Sequence, residues 1–277
     1  MAPEGAVVPI ITISRGSASG GRAVAEGLAR RLGYALVSRE DIIAQASEFG
    51  APESELKEAL LKPVGLRDRF GHARRRYLAF VQDALCQRAA GDNVIYHGNA
   101  GHLLLGGVSH VLRVRLIAPL AYRVERVMER DRLDRDEALR RIEQLDGERE
   151  AWTRFLYGVD WLDPSLYDLT VNLQTLGLEG AVELIAAAAR RPEFQATRPS
   201  RQAFADLRLA SRVRAALAAD AATASVEVEV RAADGAVSLK GRVRPAWLVE
   251  PILKVAAAVP GVREVDRRDL DAPVYTV

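Results

Sequence analysis

The sequence predicts a layered α/β domain built on a parallel sheet, followed by a smaller α+β domain, and three observations carry that expectation. Short apolar runs alternate with amphipathic helical stretches over the first two thirds of the chain, as when strands buried on both faces are joined by crossover helices. A glycine-rich loop stands directly between the first such run and the first helical stretch. Towards the C-terminus the pattern changes to strict alternation of apolar and polar residues, which marks strands with one face in solvent. At 277 residues the chain has room for two cores.

Taken in order, Val7 to Ser14 is a β-branched run broken only by Pro9 and reads as the first strand. The helix after the loop repeats Val24, Leu28 and Leu32 on one face and stops at Gly33, which suits a left-handed C′ position. Tyr34 to Ser38 is a second short strand, and helical patterns of mixed charge run on to about Ala90. Asn93 to Gly98 and Val111 to Ala118 are two more strands, each apolar enough for the inside of a parallel sheet. The stretch from Pro119 to about Tyr157 is charged and helical, "YDLTVNL" is a fifth strand, and a helix follows through Ala189. Arg190 to Gln202 holds two prolines and no periodicity, so it reads as a linker between domains spanning 1–189 and 203–277. The second domain is expected to run as a helix from Ala203 to Ala219, a strand "SVEVEVR", the turn "AADG" and a strand "AVSLKGRV". A helix starting near Pro245 and a last strand "VREVDRRDL" would complete it.

Composition narrows the class. Hydrophobic residues make up 49% and charged residues 27%, and no apolar run is long enough to cross a bilayer. The N-terminal stretch lacks the basic region of a secretory signal, so a cytoplasmic location is expected. Cys86 is the single cysteine, which excludes an intramolecular disulfide and reads as a small buried apolar residue. A net charge of +2 makes no case for nucleic acid, although nearly all the positive charge is arginine, whose forked guanidinium suits phosphate.

The chemistry concentrates in the loop. A strand, a glycine-rich turn and a helix start together aim backbone N–H groups and the positive helix end at an anion, usually a phosphate. The general phosphate-loop pattern ends in a lysine and a hydroxyl residue. Gly16 to Ala23 here reads G-S-A-S-G-G-R-A, which places Arg22 at the lysine position and Ala23 at the hydroxyl position. Ser17 or Ser19 would then have to orient a metal-bound water in place of the missing hydroxyl.

The segments "ITISR" and "SGGR" resemble the opening of the cytidylate kinase-like family of P-loop nucleoside monophosphate kinases, where arginine belongs in the lysine position. The resemblance continues through "LGYALVSREDI", "VIYHGNAGHLLL", "VLRVRLIAPLAYRVERVME" and "LYDLTVNLQTLGLEGAVELI", covering roughly residues 8 to 189. It implies a P-loop kinase-like parallel sheet with flanking helices and a helical lid, with ATP and Mg²⁺ as the donor pair. It further implies that Gly16, Ser17, Ala18, Ser19, Gly20, Gly21, Arg22 and Ala23 bind the donor nucleotide together with Arg123 and Arg154. Arg22, Arg126 and Arg149 would be catalytic, and Ser38, Arg39 and Asn99 would face the acceptor. Arg123, Arg126 and Arg130 lie at helical spacings of three and four and so share a face. No metal ligands are expected from the protein itself.

Two positions depart from the family pattern, Ser38 where the family has aspartate and Asn99 where it has arginine, and Ala23 adds the missing hydroxyl of the general phosphate loop. Losing one preorganised charged contact in such a site costs on the order of a hundredfold in rate. Two readings therefore stand: a kinase acting on a nucleoside monophosphate or other small acceptor, and a catalytically impaired nucleotide sensor.

Other features carry less. The basic stretch Arg67 to Tyr77 reads as a solvated loop before a helix, with an acidic ligand as the alternative. His97 and His102 flank a turn without cysteine or carboxylate near them, which is poor metal-ligand spacing. Trp152, Tyr157 and Trp161 read as packing at the lid base. The C-terminal stretch, Phe204 to Leu270, resembles a BON domain in its element order, in Gly235 and Gly241, and in "VPGVREV". That resemblance implies a regulatory or docking module for a protein partner, a small ligand or a phospholipid surface, with homo-oligomerisation as the plain alternative.

Overall fold

The protein was analysed as a computed structural model that describes residues 9–48, 69–98 and 100–271. Within them the chain divides into two compact units, one made of residues up to 41 and 88–197, the other of 42–48, 69–87 and 198–271.

The first unit is built on strands β1 (Ile10–Arg15), β2 (Ala35–Ser38), β3 (Val94–His97), β4 (Val111–Ile117) and β5 (Leu169–Asn172). All pair in parallel, in the order β2-β3-β1-β4-β5. β1 is thus central, with β3 and β4 on either side, and its carboxyl end opens at the point where the strand order reverses, the usual ligand crevice of an open α/β sheet. Its apolar run explains this placement, because Ile10, Ile11 and Ile13 are all buried, as a strand covered on both faces requires.

Helix α1 (Gly21–Leu32) covers the sheet through Val24, Ala25 and Leu28 and ends at left-handed Gly33, whose N–H donates to the Ala29 carbonyl. With Val171, Ala181, Val182 and Ile185 these residues form one continuous core. Helix α2 (Arg39–Ser47) follows β2, and helix α3 (Arg69–Arg88) precedes β3, so the basic stretch read as a loop is already helical from Arg69. A short helix α4 (Gly101–Leu104) follows β3.

Two helices form an arm beside the central loop. Helix α5 (Leu120–Asp131) ends at left-handed Arg132, and helix α6 (Arg135–Tyr157) starts with a reciprocal cap between Asp134 and Glu137. Val124, Val127, Ala138 and Ile142 give the pair its own small core, with Ala18 packed against it. Helix α7 (Leu173–Ala189) closes the first unit.

In the second unit, helix α8 (Arg198–Ala219) packs on a sheet of β6 (Glu229–Ala233), β7 (Ala236–Arg242) and β8 (Glu264–Asp271) together with helix α9 (Val249–Ala257). β6 and β7 are antiparallel, β7 and β8 parallel. The helix begins inside the stretch read as linker, and β6 begins at Glu229, later than the alternation suggests. Val226 donates its N–H to the Thr223 carbonyl in a turn instead, while Val226 and Val228 still pack against the same core as Val230. The part of α3 up to Gln87 belongs to this unit as well. Arg214 bridges Val230 O at 2.8 Å and Gln82 Oε1 at 3.0 Å, and buried Asp83 accepts from Gln87 Nε2 at 2.7 Å and from Ser211 Oγ at 3.4 Å. Cys86 is buried beside them, and burial pushes its thiol up to about 12, which makes it inert as a nucleophile.

Candidate functional site

The loop after β1 is shaped by two left-handed residues, Ala18 (φ 59°) and Gly20 (φ 84°). Ser19 closes it by donating both its hydroxyl (3.0 Å) and its N–H (3.4 Å) to the Gly16 carbonyl. Because Gly20 sits at the helix N-cap without a side-chain cap, the first amides of α1 are left for an outside acceptor. The loop, the start of α1 and the arm helices enclose a cavity of about 630 Å³, lined by Ser17 to Ala23 on one side and by Arg126, Arg130, Arg141 and Arg149 on the other. Uncapped helix amides facing guanidinium groups form an anion site.

Asp146 organises the wall. Its carboxylate accepts from Arg123 Nη1 at 2.5 Å, from the Ser17 N–H at 3.0 Å and from Arg149 Nη1 at 3.4 Å. Burial works to raise the Asp146 pKa, but the bonds from Arg123 and Ser17 outweigh it and hold the group below the usual carboxylate range. Arg149 also donates to Ser17 Oγ at 2.8 Å and to the Arg15 carbonyl at 3.3 Å. Burial first, and then repulsion from Arg15, bring the Arg149 guanidinium down to about 10, so it is still charged at neutral pH.

The residues expected from sequence fall into three groups. Ser17 to Ala23, Arg126 and Arg149 line the cavity, Gly16 accepts from Ser19 at the base of the loop, and Arg123 is bonded behind the loop through Asp146 and to the Ser17 carbonyl at 3.4 Å. Arg22 lines the cavity but is turned outward, with its side chain 79% exposed and Nε 2.8 Å from Glu26 Oε1. Arg126 is exposed over the Tyr122 ring, and Arg154 is bound to Glu150 at 2.8 Å, away from the cavity lining. Ser38 caps α2: its hydroxyl donates to Asp41 Oδ2 at 2.6 Å and accepts the Asp41 N–H at 3.1 Å. Arg39 lies close enough to Arg15 and Arg149 to disfavour their charge, which brings it to the same cluster. Asn99 lies outside the described residues.

Two residues that line or hold this site escaped sequence reasoning. Asp146 looked like one more charge on a solvated helix, although its position one turn before Arg149 places both on one face. Arg15 stands one residue past the predicted first strand, where nothing local marks it, yet it lines the cavity.

Of the two histidines flanking that turn, His102 has a packing role. His102 is buried against the Tyr167 ring at 4.6 Å, and burial lowers it to about 4. Arg115 lies over Trp161 (5.3 Å) and Tyr167 (5.6 Å), so these aromatics support the wall next to β4 and β5. Trp152 and Tyr157 meet edge to face at 6.1 Å within the foot of α6. Among the described residues no group of three or more His, Cys, Asp or Glu side chains could hold a metal ion. Ala23 offers no side-chain oxygen, Ser17 Oγ accepts from Arg149 and Ser19 Oγ donates to the Gly16 carbonyl, so the loop fits a phosphate while the position of the usual magnesium-binding hydroxyl is filled by alanine.

The model of the cytidylate kinase-like family matches residues 10–175, and that of the BON domain matches residues 205–270. A cytidylate kinase of Ignicoccus hospitalis is 32% identical over 179 residues, which is 64% of this chain and 96% of that protein. A cytidylate kinase of Natronomonas pharaonis is 32% identical over 182 residues, 65% of this chain and 88% of its own. Among solved structures, an uncharacterized protein from Eubacterium ventriosum shares the fold, with a TM-score of 0.52 and 20% identity, over 65% of this chain and 97% of that one.

Proposed function

Because the chain belongs to the cytidylate kinase-like family over residues 10–175 and carries a BON domain over 205–270, we propose that it transfers a phosphoryl group from ATP to a nucleoside monophosphate or another small acceptor. The observation that carries this reading is the cavity of about 630 Å³ between the uncapped start of α1 and the arginines of α5 and α6. In the proposed reaction an acceptor oxygen bonds to the γ-phosphorus as the bond to the β,γ-bridging oxygen breaks, and ADP leaves. Such a transfer asks the protein for position and positive charge more than for covalent chemistry.

The loop amides of Gly16 to Ala23 would hold the donor phosphates. Arg149, fixed by Ser17 and Asp146, would meet the charge that grows on the moving group, and Arg126 would join it from α5. Arg22 would have to leave Glu26 to reach the phosphates. Arg123 acts behind the loop, Arg154 at the foot of the arm, and Ser38, Arg39 and Asn99 complete the acceptor side of the proposal. Magnesium would arrive as the counter-ion of ATP and be held by the phosphates.

A second reading is favoured by one contact. Asp146 already occupies the Ser17 N–H and two arginines, which suits a protein that binds a nucleotide without turning it over and passes that state to the BON domain. In either reading the BON domain is proposed to dock a protein partner, a small ligand or a phospholipid surface, in the cytoplasm. No helix among the described residues is long and apolar enough to cross a membrane. Calorimetric binding of ATP combined with a coupled transfer assay over a panel of monophosphates separates the two. Turnover that Arg149→Ala abolishes supports the kinase, whereas tight binding without turnover on any acceptor supports the sensor.

A further inference from the structure

The cationic side chain placed at the start of α1 is not the one the loop pattern points to. Arg22, at the usual lysine position, is exposed and its charge is met by Glu26. Arg15, the last residue of β1, lines the cavity with the loop amides, and its side chain lies across the first turn of α1. A Cβ at residue 21 would overlap Arg15 at Cδ and crowd its Cβ and Cγ at 3.2 Å, so glycine at 21 makes room for the arginine. The Arg15 guanidinium has no hydrogen-bond or ion-pair partner among the described residues, although burial disfavours its charge. Glu40 attracts it at longer range, while Arg39 and Arg22 repel it.

The charges around it do not balance. Arg15, Arg39 and Arg123 all weigh on Arg149, and Arg39 weighs on Arg15, against the carboxylates of Asp146 and Glu40, and Asp146 is already engaged by Arg123, Arg149 and the Ser17 N–H. A half-buried guanidinium without a counter-charge is costly unless an anion completes the site. We propose that Arg15, in place of Arg22, is the loop's pre-positioned phosphate ligand, and that it takes the terminal phosphates of a nucleoside triphosphate or the pyrophosphate that shares their chemistry. This assignment rests on the phosphate-site reading given above and adds to it the residue that supplies the charge. Arg22, neutralised by Glu26, then contributes little to affinity.

The test is calorimetric titration of the full chain with ATP, with pyrophosphate and with adenosine, each in the presence of Mg²⁺. Arg15→Met keeps the apolar stem of the side chain and removes the charge, Arg15→Lys restores a charge of different shape, and Gly21→Ala displaces the arginine without altering it. The expected result is a loss of about 10- to 100-fold in affinity for ATP and pyrophosphate in Arg15→Met. Arg15→Lys should recover part of it, and Gly21→Ala should weaken binding in the same direction. Binding of ATP and pyrophosphate that Arg15→Met leaves intact would overturn the assignment while leaving the phosphate site standing. Failure of the wild type to bind either phosphate compound would overturn the phosphate site itself, and the assignment with it.

Discussion

Removing the Asp146 carboxylate is the perturbation whose outcome follows most directly from the geometry. The group joins α6 to the loop through the Ser17 N–H and ties Arg123 and Arg149 into the same cluster. Hydrogen bonds to a charged group contribute about 1.5–3 kcal/mol each, and those sharing one carboxylate do not add in full. Asp146→Ala should therefore cost the docking of α6 on the loop about 3 kcal/mol, or about a hundredfold in the local opening equilibrium. Native-state hydrogen exchange reads this as faster exchange of the Ser17 amide, with the amides of β1 unchanged. The sign for ligands is opposite: with its carboxylate gone, the arginine cluster gains more from an anion, so phosphate or ATP should raise the melting temperature of Asp146→Ala further than that of the wild type. Unchanged protection at Ser17, together with an anion response equal to the wild type's, would refute the role assigned to this carboxylate. The folded pKa of Asp146 also lies below its ordinary value, so its stabilisation is present above the usual carboxylate range and is lost as pH falls through the lowered value.

Three further predictions concern the scaffold. His102 titrates near 4 in the folded chain against an ordinary 6.5, so the unfolded chain binds the extra proton between those values and stability falls as pH drops across that window. The loss should total about 3 kcal/mol, and urea midpoints measured from pH 7 to pH 4.5 should fall less steeply for His102→Phe, which keeps the ring against Tyr167. Asp83 is buried, and burial raises its pKa, so its charge weighs against folding at neutral pH. Asp83→Asn, which can keep both polar partners, should match or exceed wild-type stability at pH 7 by up to about 1 kcal/mol, whereas Asp83→Leu should lower the melting temperature by leaving the Gln87 Nε2 donor without its acceptor, Ser211 keeping its bond to the Arg208 carbonyl. A Cβ at Gly27 would lie 2.9 Å from Val182 Cγ2, so Gly27→Val should push α1 from α7 and cost about 1–3 kcal/mol in a denaturant titration.

The parts of the fold set by local periodicity and by apolar runs were legible in the sequence. β1 is read from its isoleucines, α1 from Val24, Leu28 and Gly33, and the alternation around Val230 marks the edge of the second core. Boundaries set by hydrogen bonding were less legible: the ladder of β6 starts only at Glu229 because Val226 is held in a turn by Thr223, and helix α8 begins at Arg198 in spite of its neighbouring proline. Proline is tolerated in the first turn of a helix, where its missing N–H has no partner to lose.

At the site, sequence located the loop and the arm but could not tell which charges are already spent. Arg22 and Arg154 each have a glutamate one helical turn away, and both pair with it. Ser38 spends its hydroxyl on capping α2 with Asp41. Asp146 and Arg15 matter because of what the fold brings to them from distant parts of the chain, and no local pattern reports that.

The kinase reading of this loop and its arginines turns on whether they move a phosphoryl group. The direct measurement is transfer of the labelled γ-phosphate of ATP, with Mg²⁺, to a panel of nucleoside monophosphates that includes CMP. Label should reach at least one acceptor with the wild-type chain, and Arg149→Ala should lower the rate by about a hundredfold or more. ATP bound by the loop but no label transferred to any acceptor would show that the kinase reading is wrong.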